Sequence, residues 1–295
     1  MKQITEKASM IGFIGTGVMG KSMVRHLLQG GYTVYVYNRT KEKAADLLAE
    51  GALWGDSPVE IASKVDVVMT MVGYPYDVEE IYLQENGMLH HAKEGTIFID
   101  FTTSTPTLAK RIDEEAQKRG MYSLDAPVSG GDIGAKEARL AIMVGGDEQV
   151  FEACKPLLEL LGTNIIRQGP AGSGQHTKMC NQIAIASNMI GVCEAIAYAE
   201  KAGLSPEKVL ESISTGAAGS WSLSNLAPRM IRGNFEPGFY IKHFIKDMKI
   251  ALEEASLMNL DVPGLELAKQ MYEKLAEEGE ENSGTQALYK RYVKE

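Results

Sequence analysis

Residues Met10–Ile14 form a short apolar run that ends directly in Gly15-Thr16-Gly17-Val18-Met19-Gly20, after which helical periodicity continues to about Gln29. Glycines at this spacing mean little in an arbitrary loop. They mean much where a strand enters and a helix leaves. The first glycine makes the tight turn, the second lets a ligand approach the backbone, and the third lets the helix pack closely on the strand. The first N–H groups of that helix then face an anion, and a pyrophosphate is the anion such a turn fits. A glycine-rich structural turn is the bland alternative, and it does not require a strand and a helix on its two sides.

The rest of the first half repeats strand and helix. Thr33–Tyr37 reads as a second strand after Gly30-Gly31, and Thr40 as the N-cap of a helix ending near Gly51. Ser57-Pro58-Val59-Glu60 is a capping box with proline at the first helical position. Further strands are expected over 65–72, 96–100, 121–124, 140–144 and 164–167, with Thr105-Pro106 opening one helix and a second helix over 147–161. Alternation of this kind implies α/β architecture, a doubly wound and mostly parallel sheet of the Rossmann type. The pattern changes after Gly169-Pro170-Ala171-Gly172, where helical periods alone remain: over 174–201, from Ser205-Pro206, and over 220–231, 241–258 and 263–278. The chain is therefore expected to divide into a dinucleotide-binding domain over 1–170 and an all-α domain over 171–295 for substrate and subunit contacts.

Charge narrows the partners. The 295 residues carry a formal net charge of -9, which argues against a nucleic-acid or anionic-membrane surface, since both need a basic footprint. The most apolar stretch, 183–199, is interrupted by Ser187, Asn188, Gly191 and Glu194 and reads as a buried helix rather than a membrane span. The first nine residues lack the apolar core of a signal peptide, and Cys154, Cys180 and Cys193 show neither metal spacing nor a paired framework. A cytoplasmic protein with reduced thiols is expected. His90-His91 reads as a wet surface pair, His176 and His243 lack partners at ligand spacing, and no metal is expected.

Cofactor choice is read at the end of the second strand. An NAD site usually places an acid there for the ribose 2′-hydroxyl. This chain has Asn38-Arg39-Thr40, with no acid to repel a 2′-phosphate and a planar guanidinium able to pair with it. NADP is thus expected over NAD; the competing reading makes Arg39 a solvated loop cation and Thr40 a cap. Two segments offer substrate chemistry. Asp125-Ala126-Pro127-Val128-Ser129-Gly130-Gly131 follows the fifth strand and supplies a hydroxyl and exposed N–H groups able to hold a carboxylate. Thr102-Thr103-Ser104 follows the fourth strand in the same manner. The helix beginning near Gly172 carries Lys178 and Asn181 three residues apart on one face, with Gln182 beside them. Most lysines are solvated, but one at the start of an apolar helix after a domain junction is a candidate for an interdomain cleft.

In this order the segments resemble the β-hydroxyacid dehydrogenase family, which includes 3-hydroxyisobutyrate dehydrogenases and tartronate semialdehyde or glyoxylate/succinic semialdehyde reductases. The resemblance rests on residues 12–20, residues 125–131, Gly172-x-Gly174 with Lys178 and Asn181, and Phe239 with Lys246-Asp247. It implies that Lys178 is the catalytic acid–base and that Ser129, Gly130, Gly131, Asn181 and Gln182 contact a small carboxylate-bearing substrate, with Trp221 near that pocket. It also implies that Met71, Val72 and Thr103 line the nicotinamide side, that Lys246 and Asp247 lie against the cofactor, and that the protein forms homodimers or homotetramers. Two departures stand out: Gln182 where the family often has a second asparagine, and Thr102-Thr103 where it often has Ser-Thr. Two rival readings remain, a 6-phosphogluconate-dehydrogenase-like enzyme and a non-catalytic dinucleotide-binding regulator that has kept the fold.

Overall fold

The computed structural model describes residues 4–6 and 8–293. One sheet contains nine strands: β1 (Met10–Ile14), β2 (Thr33–Tyr37), β3 (Leu53–Trp54), β4 (Val67–Thr70), β5 (Ile97–Asp100), β6 (Tyr122–Asp125), β7 (Val128–Ser129), β8 (Leu140–Gly146) and β9 (Gly162–Gly169). Their order is β3-β2-β1-β4-β5-β6-β8-β7, with β9 on β8. From β3 to β6 every pairing is parallel, whereas β8 runs antiparallel to β6 and β7 and parallel to β9. The order 3-2-1-4-5-6 is that of doubly wound dinucleotide-binding sheets, and its reversal between β1 and β4 opens a crevice at the strands' carboxyl ends.

Strand periodicity explains why both faces are covered. Successive side chains point to opposite sides, so Ile11 and Phe13 of β1 join a core with Met23 and Leu27 of the helix Val18–Gln29. Ile14 turns to the other face, where it joins Val68 and Phe98. All four residues of β4 and all four of β5 are buried, as expected of central strands in a covered parallel sheet.

Contacts divide the chain into Met1–Lys178 and Met179–Glu295. The second unit is helical, with Pro206–Ile213, Trp221–Asn225, Ala227–Ile231, Ile241–Leu257 and Pro263–Leu275 following the long helix Ser173–Lys201. Its core gathers Met189, Val192 and Ile196 with Phe244, Met248 and Tyr272. Among the described residues the long helix is the one whose length and composition would allow it to cross a membrane, and 44% of its most apolar window is buried inside the protein.

Several local expectations change. The helix expected over 220–231 is two short ones, because Pro228 lacks the N–H that would continue the first and suits the opening turn of the second. The capping box is half made: Ser57 Oγ accepts from Glu60 N at 3.0 Å, but the Glu60 carboxylate takes the Asp56 N–H at 2.6 Å. Thr40 has extended backbone, yet its side chain caps nothing, and a 3-10 turn Lys41–Ala44 runs into Ala45–Ala49. The last long helix stops at Leu275 and passes into a wider turn, Ala276–Glu280, broken by Gly279 at φ +92°. Short elements escaped the sequence pattern: β3, the helix Pro75–Leu83 and the helix Gly131–Lys136.

Two glycines of the long helix sit in opposite surroundings. A Cβ on Gly174 would strike the carbonyl oxygens of Met143 and Asp125, whereas one on Gly191 would meet nothing within 4 Å. Gly174→Ala is therefore expected to destabilise the protein by about 1–3 kcal/mol through overpacking. Gly191→Ala is expected to stabilise it by about 0.5–1 kcal/mol by removing backbone freedom from the unfolded chain. Urea unfolding of the two variants beside the parent measures both signs.

Candidate active site

The crevice is lined by the turns leaving β1, β2, β4, β5 and β6. Gly15, at φ +99°, donates its N–H to Tyr37 O at 2.9 Å, and a Cβ there would strike the Met71 carbonyl. Gly17 is the N-cap of Val18–Gln29; no side chain caps that end, and the space beside its Cα is open. Gly20 is buried with Gly15 O where its Cβ would be. Thr16 is 1% exposed and its Oγ1 has no hydrogen-bond partner among the described residues. A helix N-terminus without a side-chain cap, an approachable backbone and an orphaned buried hydroxyl together fit a pyrophosphate. Val18 lies exposed beside this turn and Met19 is partly buried. Met71 N donates to Ile14 O at 2.9 Å and Val72 N to Thr102 Oγ1 at 3.0 Å, which ties the β4 exit to its neighbours.

At the β2 exit, Asn38 Nδ2 closes the turn on Thr40 O at 2.9 Å. The Arg39 side chain is 79% exposed, and its Nη1 stands 3.3 Å from Asp77 Oδ1. Asp77 is buried and also accepts from Tyr74 N at 3.0 Å. Sequence reading missed Asp77, because nothing local links it to a residue 38 positions away.

The β5 and β6 exits are joined to the start of the long helix. Asp125 accepts Gly172 N on Oδ1 at 2.7 Å and Gln175 N on Oδ2 at 2.8 Å. Gln175, fully buried, accepts Ser104 N at 3.0 Å and donates to Thr102 O at 2.8 Å. Thr102 N in turn donates to Asp100 Oδ1 at 3.0 Å, an oxygen that also receives Thr70 Oγ1 at 2.7 Å. Burial pushes the Asp125 carboxyl up to about 7, against the pull of its two N–H bonds, and nearby Asp100 adds to the rise. Lys178 follows one turn into the helix. It is 7% exposed, and its Nζ donates to Val128 O at 2.9 Å. Val128 and Ser129 form the short strand β7, followed by Gly130 at φ +130° and Gly131 at φ +64°. The segment expected as a loop is thus half strand. The structure brings Lys178 to the carbonyl next to Ser129, while Asp125, which opens the segment read for substrate chemistry, and Gln175, which no motif singled out, anchor the helix that carries it. Thr103 lies between Thr102 and Ser104 on the same bonded turn.

In the helical unit, Asn181 Nδ2 donates to Gln182 Oε1 at 2.7 Å, and Gln182 Nε2 donates to Asp247 Oδ2 at 2.6 Å. Lys246 Nζ lies 3.0 Å from Asp247 Oδ1. Burial, then the Lys246 ammonium, holds the neighbouring His243 below its ordinary range. Phe239 packs its ring 5.5 Å from that of Phe244 in the helical core, and Tyr240 lies edge-on to His243. Trp221 opens its short helix with its ring exposed. Cys180 is exposed, whereas Cys154 and Cys193 are buried; burial pushes the Cys154 thiol up to about 12 and raises Cys193 as well.

Known proteins match both halves. A family model described as the NAD-binding domain of 6-phosphogluconate dehydrogenase matches residues 10–169, and one described as the NAD-binding domain of NADP-dependent 3-hydroxyisobutyrate dehydrogenase matches 172–292. The chain is 66% identical to the uncharacterized oxidoreductase YkwC of Bacillus subtilis, across 96% of its own length and 99% of that protein. Identity to the 2-hydroxy-3-oxopropionate reductase of Escherichia coli is 38%, covering 91% of this chain and 92% of the other. The structure of Mycobacterium tuberculosis 3-hydroxyisobutyrate dehydrogenase with L-serine superposes with a TM-score of 0.89 at 31% identity, over 97% of this chain and 99% of that one. With both halves matched by dinucleotide-binding domains and relatives aligned over nearly their whole length, the chain belongs to the β-hydroxyacid dehydrogenases, oxidoreductases that use a nicotinamide dinucleotide.

Proposed function

We propose that the protein interconverts a small β-hydroxy acid and its semialdehyde, with NADP(H) preferred over NAD(H) and with Lys178 as the general acid–base. The observation that carries this reading is the buried Lys178 ammonium, 2.9 Å from the carbonyl preceding Ser129. A cation held there within a chain of net charge -9 is a local exception to the global field, suited to an anionic or developing-anion ligand. The dinucleotide, when bound, supplies or accepts the hydride. Residues 15–20 would hold its pyrophosphate, Asn38, Arg39 and Thr40 its adenosine end, and Met71, Val72 and Thr103 its nicotinamide end, with Lys246 and Asp247 against the cofactor.

The chain's own residues manage the proton and the carboxylate. In reduction, Lys178 polarises the carbonyl and gives the new alkoxide a proton. In oxidation, its amine form takes that proton back. Ser129 and the N–H groups of Gly130 and Gly131 would hold the carboxylate, with Asn181, Gln182 and Trp221 completing the substrate contacts. A 6-phosphogluconate reading draws support from the description of the first family model. The second half matches the 3-hydroxyisobutyrate type instead, and a relative from Pseudomonas aeruginosa, 36% identical, is an NAD-dependent L-serine dehydrogenase.

Lys178→Ala is expected to lower kcat by about 10²–10⁴ while leaving the dinucleotide Kd, read by fluorescence titration, near the parent value. Equal loss of both would make Lys178 structural. Alcohol oxidation should rise as pH moves into the alkaline range, because that direction needs the free amine, and reduction should depend less on alkali; parallel initial-rate profiles check this. For cofactor choice, Arg39→Ala is expected to raise the KM for NADP⁺ about tenfold, the worth of one charge-assisted phosphate contact, with the KM for NAD⁺ little changed.

A further inference from the structure

Asp247 is 2% exposed. One of its oxygens faces the Lys246 ammonium at 3.0 Å, an ion pair without hydrogen-bond geometry. The other oxygen accepts from Gln182 Nε2 at 2.6 Å. A carboxylate beside an ammonium offers acceptors and no donor. Gln182 must therefore turn its NH₂ group toward Asp247 and its carbonyl away. That carbonyl accepts from Asn181 Nδ2 at 2.7 Å, which fixes the second amide in the same sense. Asn181 is partly buried, and its Oδ1 has no hydrogen bond among the described residues.

Neither amide can be reversed alone. Turning Asn181 sets its oxygen against Gln182 Oε1, and turning Gln182 sets an oxygen against a carboxylate oxygen. The second arrangement forfeits a buried hydrogen bond to a charged group and sets like partial charges face to face. Orientation along such a chain is set by its ionised end.

We infer that Asp247, acting through Gln182, polarises Asn181 so that it offers its ligand a hydrogen-bond acceptor, making this position a reader of the hydroxyl proton while Lys178 is an ammonium that donates to the same oxygen. The hydroxyl turns to Lys178 only when the amine form takes its proton. The ligand class it selects is a small acid carrying a hydroxyl, over an isostere of that acid with no proton to give. Gln182 is then a positioning residue, and the departure from the family's paired asparagines has a defined task. The inference rests on the proposed function, in which Asn181 meets the substrate.

The test is binding to the full-length enzyme with NADP⁺ present, read by calorimetry for 3-hydroxypropanoate and for 3-fluoropropanoate, which matches it in size and cannot donate. The parent is expected to prefer the hydroxy acid about tenfold, the worth of one hydrogen bond. In Gln182→Met the preference should fall to less than about twofold, because Asn181 can then turn either end outward. Asp247→Asn, whose amide keeps its oxygen on the Lys246 ammonium and turns its NH₂ toward Gln182, should reverse the chain and collapse the preference likewise, and it serves if the methionine variant does not fold. A preference unchanged in the folded variants, or absent from the parent, overturns the inference and leaves the proposed function standing. Failure of the parent to bind either acid overturns that function, and the inference falls with it.

Discussion

One buried carboxylate organises the first unit. Asp125 ends β6 and receives two backbone N–H groups at the start of the long helix, Gly172 just before it at 2.7 Å and Gln175 in its first turn at 2.8 Å. These are among the donors that a helix N-terminus leaves without intrahelical partners, and burying them unmet would be costly. The contact demands room as well as charge. Gly145 and Gly174 both lie so near Asp125 that neither position has space for a side chain. The position of Lys178 follows from this anchorage, since the lysine is three residues beyond Gln175 on the same helix.

Gln175 extends the effect sideways. By bonding Ser104 N and Thr102 O it makes the β5 exit register with the helix, and Thr102 passes the constraint to Val72 at the β4 exit. Three turns that arrive from separate strands thus become one rigid rim. A rim of that kind suits a reaction in which two bound molecules must meet with little tolerance in distance. Burial that excludes water also strengthens each dipole aimed into the rim.

How much of this was legible in the sequence depends on the range of the signal. The glycine turn could be read because its strand, turn and helix are contiguous, so local chemistry specifies the whole motif. β2 was read to the residue for the same reason, as its run is bounded by glycines and a polar turn. β3 was missed because two residues carry no periodicity, and its pairing with β2 is a tertiary event. The roles of Asp125, Gln175 and Asp77 were invisible because each pairs across 38 to 73 residues, and a lone polar residue at a strand end has many equivalent explanations. Asn181 and Gln182 could be listed as polar neighbours on a helix; their donor–acceptor sense could not, since it is imposed by Asp247, 65 positions beyond Gln182.

The cysteines divide by environment. Cys154 and Cys193 lie in the packed cores, with burial disfavouring their thiolates, while Cys180 is on the exposed side of the long helix. Thiolate chemistry needs both access and charge. A maleimide or a spin label would therefore find a single attachment point in the native protein, two residues past the proposed acid–base lysine, and a spectroscopic reporter could be placed on that turn without engineering the other two thiols away.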